Sequence, residues 1–510
     1  MWTGWQNRSK MRAMFDRVPD MAAKRAEISP NVVAFRDAGT GRDWTFAEID
    51  RAASGMARGL REAGYAKGDR LAIICLNRAE FFIALFACQK CGVILCPLNW
   101  RQPLRELVVT VRPAAPRGIL HDALHTRRAR ALAAASGMVV HEIETDMARW
   151  MRLDPSGPAQ AVDGDRPWYL LFTSGTTGRP KAVINTARMA WANTVNIGQA
   201  VGLTARDATV NYLPLFHTAG INLYTLPAFL TGASTTILPR FDAAALLALL
   251  ASGQVTQFFG VPAIYQAFSL SPGLDAVDWS RARFGCGGAP LSEPLIRFFA
   301  ARGARVLNGY GLTESGPTVF LMDAEHAEQK IGSVGRPQML TEVRLDGVPP
   351  GSERAGMAGE VLMRGPNVTP GYYDDPAATA AALDADGWLH TGDVGRWDAD
   401  GYFHLVDRMT DMFISGGENV YPAEVERILN DHPSVLEAAV VGVPDDRWGE
   451  VGAAFLIARP AAAPDPAELR AWCRDRLAAY KVPKLVNLLD DFPRTPAGKV
   501  RKPELRKLLT

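Results

Sequence analysis

The chain has 510 residues, a formal net charge of +2, and 22% charged against 48% hydrophobic residues. That length exceeds what one core usually serves, so two or more domains are expected. The composition excludes a disordered chain, the small net charge supplies no field for nucleic acid, and no apolar run reaches the roughly 18 residues of a membrane span. The N-terminal stretch MWTGWQNRSKMRAMFDR has no apolar core of a signal peptide. Leu508-Leu509-Thr510 carries no peroxisomal or lipidation signal, so the cytoplasm is the expected location.

In chain order, Arg70–Cys75 reads as a strand, Ala79–Cys91 as an apolar helix and Gly92–Pro97 as a strand. Cys88 and Cys91 form a C-x-x-C with Cys96 nearby, but no second Cys or Cys/His pair completes four ligands. They are expected to be core thiols, packed between a helix and a strand in a reducing compartment. Trp168–Phe172 is a short buried strand. Ala243–Ala251 reads as a helix, Val255–Val261 as a strand, Pro294–Ala301 as a helix and Arg305–Leu307 as a strand. This alternation implies α/β layers with largely parallel strands, whose carboxyl-end loops take ligands. Thr173–Lys181, Pro214–Gly220, Gly285–Pro290 and Gly309–Glu314 fall at such positions.

After about residue 340 the texture changes to short strands and polar turns, with a hairpin turn at Asp398-Ala399-Asp400-Gly401. Beyond Arg408 comes a compact α+β pattern: helix Ala423–Asn430, strands Ala438–Val443 and Ala453–Ile457, and helix Pro466–Leu477. The boundary is expected at Asp407–Asp411, giving a domain over 1–407, a link over 408–411 and a second domain over 412–510.

The loop Thr173-Ser174-Gly175-Thr176-Thr177-Gly178, followed by Lys181, suits phosphate. Glycines let backbone N–H groups approach, hydroxyls donate and one ammonium neutralises charge. Its G-x-x-G-x-x-K spacing, without Ser or Thr after the lysine, is not a Walker A loop. Further along stand Asn308-Gly309-Tyr310-Gly311-Leu312-Thr313-Glu314, Trp388-Leu389-His390-Thr391-Gly392-Asp393, Asp407-Arg408 and Pro493-Arg494-Thr495-Pro496-Ala497-Gly498-Lys499. Taken singly, Glu314 reads equally as a helix cap, Asp393 as a turn residue and Lys499 as part of a solvated basic face.

In this order the set resembles the adenylate-forming superfamily of acyl-CoA synthetases, adenylation domains and firefly-type luciferases, over essentially the whole chain. The resemblance implies a large N-terminal domain of layered α/β sheets plus a β-barrel-like part, with a small mobile α+β C-terminal domain. It implies ATP, Mg²⁺ and coenzyme A, a small-molecule carboxylic acid, and an acyl-AMP intermediate. By the same resemblance Thr173, Ser174, Gly175, Thr176, Thr177, Gly178 and Lys181 hold the β- and γ-phosphates. Glu314 and Thr173 hold the metal, and Thr313 donates to the α-phosphate. Tyr310 stacks on adenine opposite Gly288, Ala289 and Pro290, while Asp393 and Arg408 take the ribose. Lys499 bridges the acid carboxylate and the α-phosphate.

For the thiol step the resemblance points to Ser415, Gly416 and Gly417 as a glycine turn beside pantetheine, and to Trp448, Tyr480, Lys481 and Lys484 around the CoA nucleotide; the lysines also read as ordinary surface residues. His217 resembles a gate between the acid site and the thiol tunnel. No acidic residue stands in Leu215–Gly220 to pair an α-amine, so an uncharged tail is expected. Gly285, Gly309 and Gly316 beside Phe259 suggest a deep apolar slot. The acid is expected to be fatty, medium to long in chain, or aryl/phenylpropenoic. A carrier-protein thiol as acceptor, a nucleotide-binding protein without turnover, and a homodimeric assembly all stay open. Two departures from the family pattern are Thr410 at the hinge, where Asp or Lys is common, and Ala182 in place of glycine.

Overall fold

A computed structural model describes residues 15–509 apart from 156, 158–159, 175–179, 290, 350–355, 409–410, 416–417, 446–447, 461, 463, 478 and 496–497. The alternating half of the chain forms two α/β layers. In the first sheet the strand order is Pro180–Thr186, Pro167–Ser174, Ile94–Pro97, Arg70–Ile74, Gly118–His121, Val139–Glu142. Its neighbours are parallel except the first two, which pair antiparallel. The glycine-rich loop therefore connects the arms of a hairpin and does not lead into a helix.

In the second sheet every pairing from Val306–Tyr310 through Arg283–Cys286, Gln257–Gly260, Ala208–Asn211 and Ser234–Ile237 to Val33–Asp37 is parallel. Helix Ala79–Cys91 contacts strands of both sheets, and nearly all its residues are buried. A helix that is apolar all round requires such a place. Trp168 locks it to the first sheet, donating from Nε1 to the Leu85 carbonyl at 2.7 Å. Cys88 and Cys96 are buried free thiols, as expected, and burial pushes the Cys88 thiol up. No group of three or more metal-ligating side chains occurs among the described residues.

Two buried asparagines join the layers where the sheets end. Asn77 Nδ2 donates to Asn211 Oδ1 and to the Leu213 carbonyl, both at 2.8 Å. Asn211 Nδ2 in turn donates to the Gly220 carbonyl at 2.6 Å and to Thr225 Oγ1 at 2.7 Å. The turn Pro214–Gly220 is thereby fixed above the strand that precedes it.

The short-strand region is an antiparallel sheet of Glu342–Asp346, Gly359–Arg364, Leu389–Trp397 and Phe403–Arg408. Its expected turn is present: Asp398 N–H donates to the Tyr402 carbonyl at 2.8 Å, and Gly401 takes φ of 79°, which favours glycine. The last sheet runs Glu418–Val420, Phe413–Ser415, Gly449–Ala458, Val435–Asp445, with Leu485–Leu488 also beside Gly449–Ala458. Helices Pro422–Asn430 and Pro466–Arg474 pack on this part, the second ending three residues before the expected Leu477. Among the described residues no helix is long and apolar enough to cross a membrane.

Asn211→Leu should leave Asn77 Nδ2 with the Leu213 carbonyl alone and weaken the hold on Gly220 and Thr225. Each buried polar group left unpaired costs ~1–3 kcal/mol, so a total loss of about 2–4 kcal/mol is expected. A lowered urea midpoint measures it; an unchanged midpoint would show that these bonds do not join the layers.

Candidate active site

Phosphate chemistry needs a hard-oxygen ligand, hydroxyls and a cation in one place, and three separate segments supply them. Lys181 stands opposite Thr173 across the hairpin. Thr313–Ser315 forms a single 3₁₀ turn after strand Val306–Tyr310, which presents Glu314. Segment 367–373 joins the two. Asn367 Nδ2 donates to the Ser315 carbonyl at 2.7 Å, and Thr369 N–H donates to the Glu314 carbonyl at 2.8 Å. On its other side Thr369 Oγ1 donates to the Ile184 carbonyl at 2.7 Å, and Tyr373 N–H to the Ala182 carbonyl at 2.8 Å. Ala182 is buried against the first sheet, so its methyl is accommodated.

Tyr372 completes this junction. Its hydroxyl donates to Glu314 Oε1 at 3.0 Å, and Lys181 Nζ lies 4.8 Å from its ring centroid. Burial and the Glu314 charge push the Tyr372 phenol up, so it remains a donor. Sequence reading missed Tyr372; the signal was an aromatic pair after Pro370-Gly371, with no motif to single it out. Residues 175–179 and the Ser174 side chain lie outside the described residues.

The nucleoside-facing candidates also converge. Tyr310 ends its strand, and its hydroxyl donates to Asp393 Oδ2. Asp393 is buried, its N–H bonded to Thr391 Oγ1 at 3.1 Å, and it stands opposite Arg408 in the antiparallel ladder. The Arg408 side chain and Pro290 lie outside the described residues. Gly288 and Ala289 are exposed at the carboxyl end of strand Arg283–Cys286, which is parallel to the strand carrying Tyr310.

On the acid side, His217 lies within the turn fixed by Asn211. Its Nε2 is buried with no hydrogen-bond partner in the structure. Desolvation, with the charges of Arg101 and Lys499 added, brings its pKa down to about 4, so the ring is neutral. Lys499, from the C-terminal part, therefore lies within electrostatic reach of His217. Phe216 packs between His217 and Trp100, and Arg101 lies over both Phe216 and Trp100. Trp100 and Arg101 were not anticipated from sequence.

A narrow cavity of about 10 Å³ lies beyond, lined by Leu213, Gly220, Leu223, Tyr224 and Phe259 among others. None of the three glycines expected to open a slot is among the described residues that line this cavity; Gly285 lies against two of its lining side chains. A Cβ there would stand 2.9 Å from Tyr224 Oη and 3.0 Å from Phe259 Cδ2. Gly309 is small for another reason: a Cβ would meet Leu321 and Phe320 of the adjoining strand at 3.0 and 3.1 Å. Gly316 has φ of 58°, and its Cβ would meet the Asn367 carbonyl. Both serve the backbone junctions and not the slot.

The thiol-side candidates share one part of the last sheet. Ser415 is buried opposite Gly449. The turn Ala479–Lys481 packs on strands Glu418–Val420 and Gly449–Ala458. Lys481 is paired with Glu424 at 2.7 Å, and Lys484 with Asp445 at 2.8 Å, 5.9 Å from the Trp448 ring centroid. The two lysines thus bring carboxylates with them, so neither ammonium is an uncompensated cation. Gly416 and Gly417 lie outside the described residues.

Known proteins match this arrangement. Residues 22–373 match the AMP-binding enzyme family and residues 424–499 the AMP-binding enzyme C-terminal domain. The chain is 41% identical over 491 residues to a feruloyl-CoA synthase of an Amycolatopsis species, covering 95% of this chain and 97% of that protein. It is 35% identical over 501 residues to a long-chain-fatty-acid–CoA ligase of Mycobacterium tuberculosis, covering 96% and 97%. Among solved structures, ATP-bound MatB from Rhodopseudomonas palustris superposes with a TM-score of 0.87 at 28% identity, covering 96% of this chain and 99% of that one. The o-succinylbenzoate CoA synthetase of Bacillus subtilis, in complex with ATP and magnesium ion, gives 0.84 at 29% identity, covering 97% and 99%. With both family regions in order and the site residues gathered at their strand ends, the chain belongs to the AMP-binding enzymes, as an AMP-forming acyl-CoA synthetase of the adenylate-forming superfamily.

Proposed function

We propose that the protein activates a fatty or aryl carboxylic acid beside His217 and passes the acyl group to coenzyme A. The observation that carries the reading is the electrostatic reach of Lys499, from the C-terminal part, to the buried His217. In the first step a carboxylate oxygen attacks the α-phosphorus of ATP, and the bond to pyrophosphate breaks. The anions must be brought together against their repulsion, so cations and donors placed around them lower the barrier. Lys181, Thr173 and the loop through Gly178 hold the β- and γ-phosphates. Thr313 and Lys499 meet the α-phosphate, and Tyr310, Asp393 and Arg408 hold the nucleoside. His217, being neutral, adds no charge that would trap the carboxylate.

Glu314 and Thr173 would hold Mg²⁺, which would spread the phosphate charge. One carboxylate and one hydroxyl, with the rest of the shell left to phosphates and water, suit this small hard cation. In the second step the CoA sulfur attacks the acyl carbon and AMP leaves. The link at 408–411 is the pivot that withdraws Lys499 and presents the turn Ser415–Gly417, and the cytoplasm is the setting. Acid-dependent AMP release with free CoA tests the reading; release only with a carrier-protein thiol would replace the acceptor.

Lys499→Ala should lower adenylate formation by ~10²–10³, the usual loss for one preorganised charge or donor at a transition state. Thioester formation from a preformed acyl adenylate should be largely spared. Pyrophosphate exchange and single-turnover acyl transfer separate the two; equal losses would contradict the two-pose reading.

His217 holds its pKa at about 4 in the fold against ~6.5 in an unfolded chain. Between those values the unfolded chain binds the proton and the fold does not. The stability of the neutral ring is therefore full above about pH 6.5 and is lost as the pH falls toward 4. The melting temperature of the wild type minus that of His217→Gln should accordingly fall from pH 7 to pH 5. A difference independent of pH would mean that His217 titrates normally.

A further inference from the structure

Of the run Pro493–Lys499, only Lys499 takes part in the steps above. Its turn is exposed at Gly498 and Lys499, and a lysine on a fraying loop tip would bring its ammonium to no fixed place. The backbone here is pinned instead. Arg494 and Val500 face each other in an antiparallel bridge, and Arg501 N–H donates to the Pro493 carbonyl at 2.7 Å. Within that frame both backbone groups of Lys499 are engaged. Its N–H donates to Thr495 Oγ1 at 3.1 Å, and its carbonyl accepts from Thr495 N–H at 2.7 Å. Gly498 N–H closes the turn on the Thr495 carbonyl at 2.8 Å, with a φ of 83° that favours glycine.

Arg494 ties this turn to the sheet. Its guanidinium forks onto Glu437, Nη1 donating to Oε1 at 3.1 Å and Nη2 to Oε2 at 2.5 Å. Nη1 also donates to the Gly498 carbonyl at 3.2 Å. Nε lies 3.5 Å from Asp491 Oδ1, and the guanidinium carbon stands 5.6 Å from the ring centroid of the buried Phe492. Glu437 belongs to strand Val435–Asp445, where it pairs opposite Ile457. One planar group with donors in fixed directions therefore joins a strand of the sheet to the carbonyl just before Lys499. The two side chains are 27% and 37% exposed, so their pairing adds little to stability. Its consequence is the place and angle of the turn.

We propose that Arg494 and Glu437 are positioning residues for Lys499: their fork sets the turn so that the ammonium arrives already aimed at the acid carboxylate and the α-phosphate. This rests on the role given to Lys499 above. Neither residue touches substrate; both act through the lysine they hold. Misplacing a reacting group by ~1 Å costs on the order of 10² in rate. Because Lys499 serves only the pose that makes the adenylate, the loss falls on the first half-reaction and spares the second.

The test uses the full chain and whichever of octanoic and cinnamic acids the wild type activates faster. Pyrophosphate exchange reads adenylate formation, and single-turnover acyl transfer to CoA from the preformed acyl adenylate reads the second step. Arg494→Met and Glu437→Gln should each lower exchange by ~10–10², with transfer near the wild-type rate. Arg494→Lys keeps the charge but cannot fork, so it should lose as much as Arg494→Met. Adding Arg494→Met to Lys499→Ala should cost nothing further, because an ammonium that is absent cannot be misplaced. Equal losses in both half-reactions would mark a merely structural role and overturn the proposal. So would full exchange in Arg494→Lys, which would make Arg494 a charge acting directly, or a further loss in the double variant. A loss in Lys499→Ala alone would overturn the proposal and leave the role of Lys499 standing. Exchange retained in Lys499→Ala would overturn that role and the proposal with it.

Discussion

The site depends on a short segment that belongs to neither of the two sheets it serves. Residues 367–373 bond the Glu314 turn through Asn367 and Thr369, and bond the hairpin edge through Thr369 and Tyr373. These bonds are mostly to backbone carbonyls, so they fix position without demanding particular side chains on the far side. Tyr372 then spans the gap, touching Glu314 with its hydroxyl and Lys181 with its ring. Phosphoryl transfer is governed by the placement of charge, and here a carboxylate and an ammonium from different sheets are held by one aromatic residue.

A second constraint acts at the acid end. His217 sits where desolvation and two cations all disfavour its protonation. The neutral ring brings no charge of its own, and the positive charge in that region comes from Arg101 and Lys499, the second from the C-terminal part. Charge carried by a separate part of the chain can be removed after the first step, which a charge on the fixed scaffold cannot.

On the thiol side the ion pairs of Lys481 and Lys484 change what those residues can do. An ammonium already bonded to a carboxylate at 2.7–2.8 Å offers a phosphate little net attraction unless the pair opens. Trp448, 37% exposed and close to Lys484, keeps an accessible aromatic face in the same place.

The alternation of apolar strands and helices, the hairpin at Asp398–Gly401 and the ordered loops around Lys181, Glu314 and Asp393 were all legible in the sequence, because each is a local pattern of period, turn residue or spacing. Element boundaries shifted by a few residues, as caps decide them and caps depend on neighbours. What only the tertiary structure decided is which of these local features meet. Gly285, Gly309 and Gly316 look alike in a sequence, yet one makes room for two aromatic rings and two make room for the adjoining chain, since a missing side chain has no chemistry of its own until something approaches it. Tyr372 lacked any motif, because its role comes from a partner 58 residues away in the chain, Glu314. Local pattern names the chemistry; long-range packing determines where it is used.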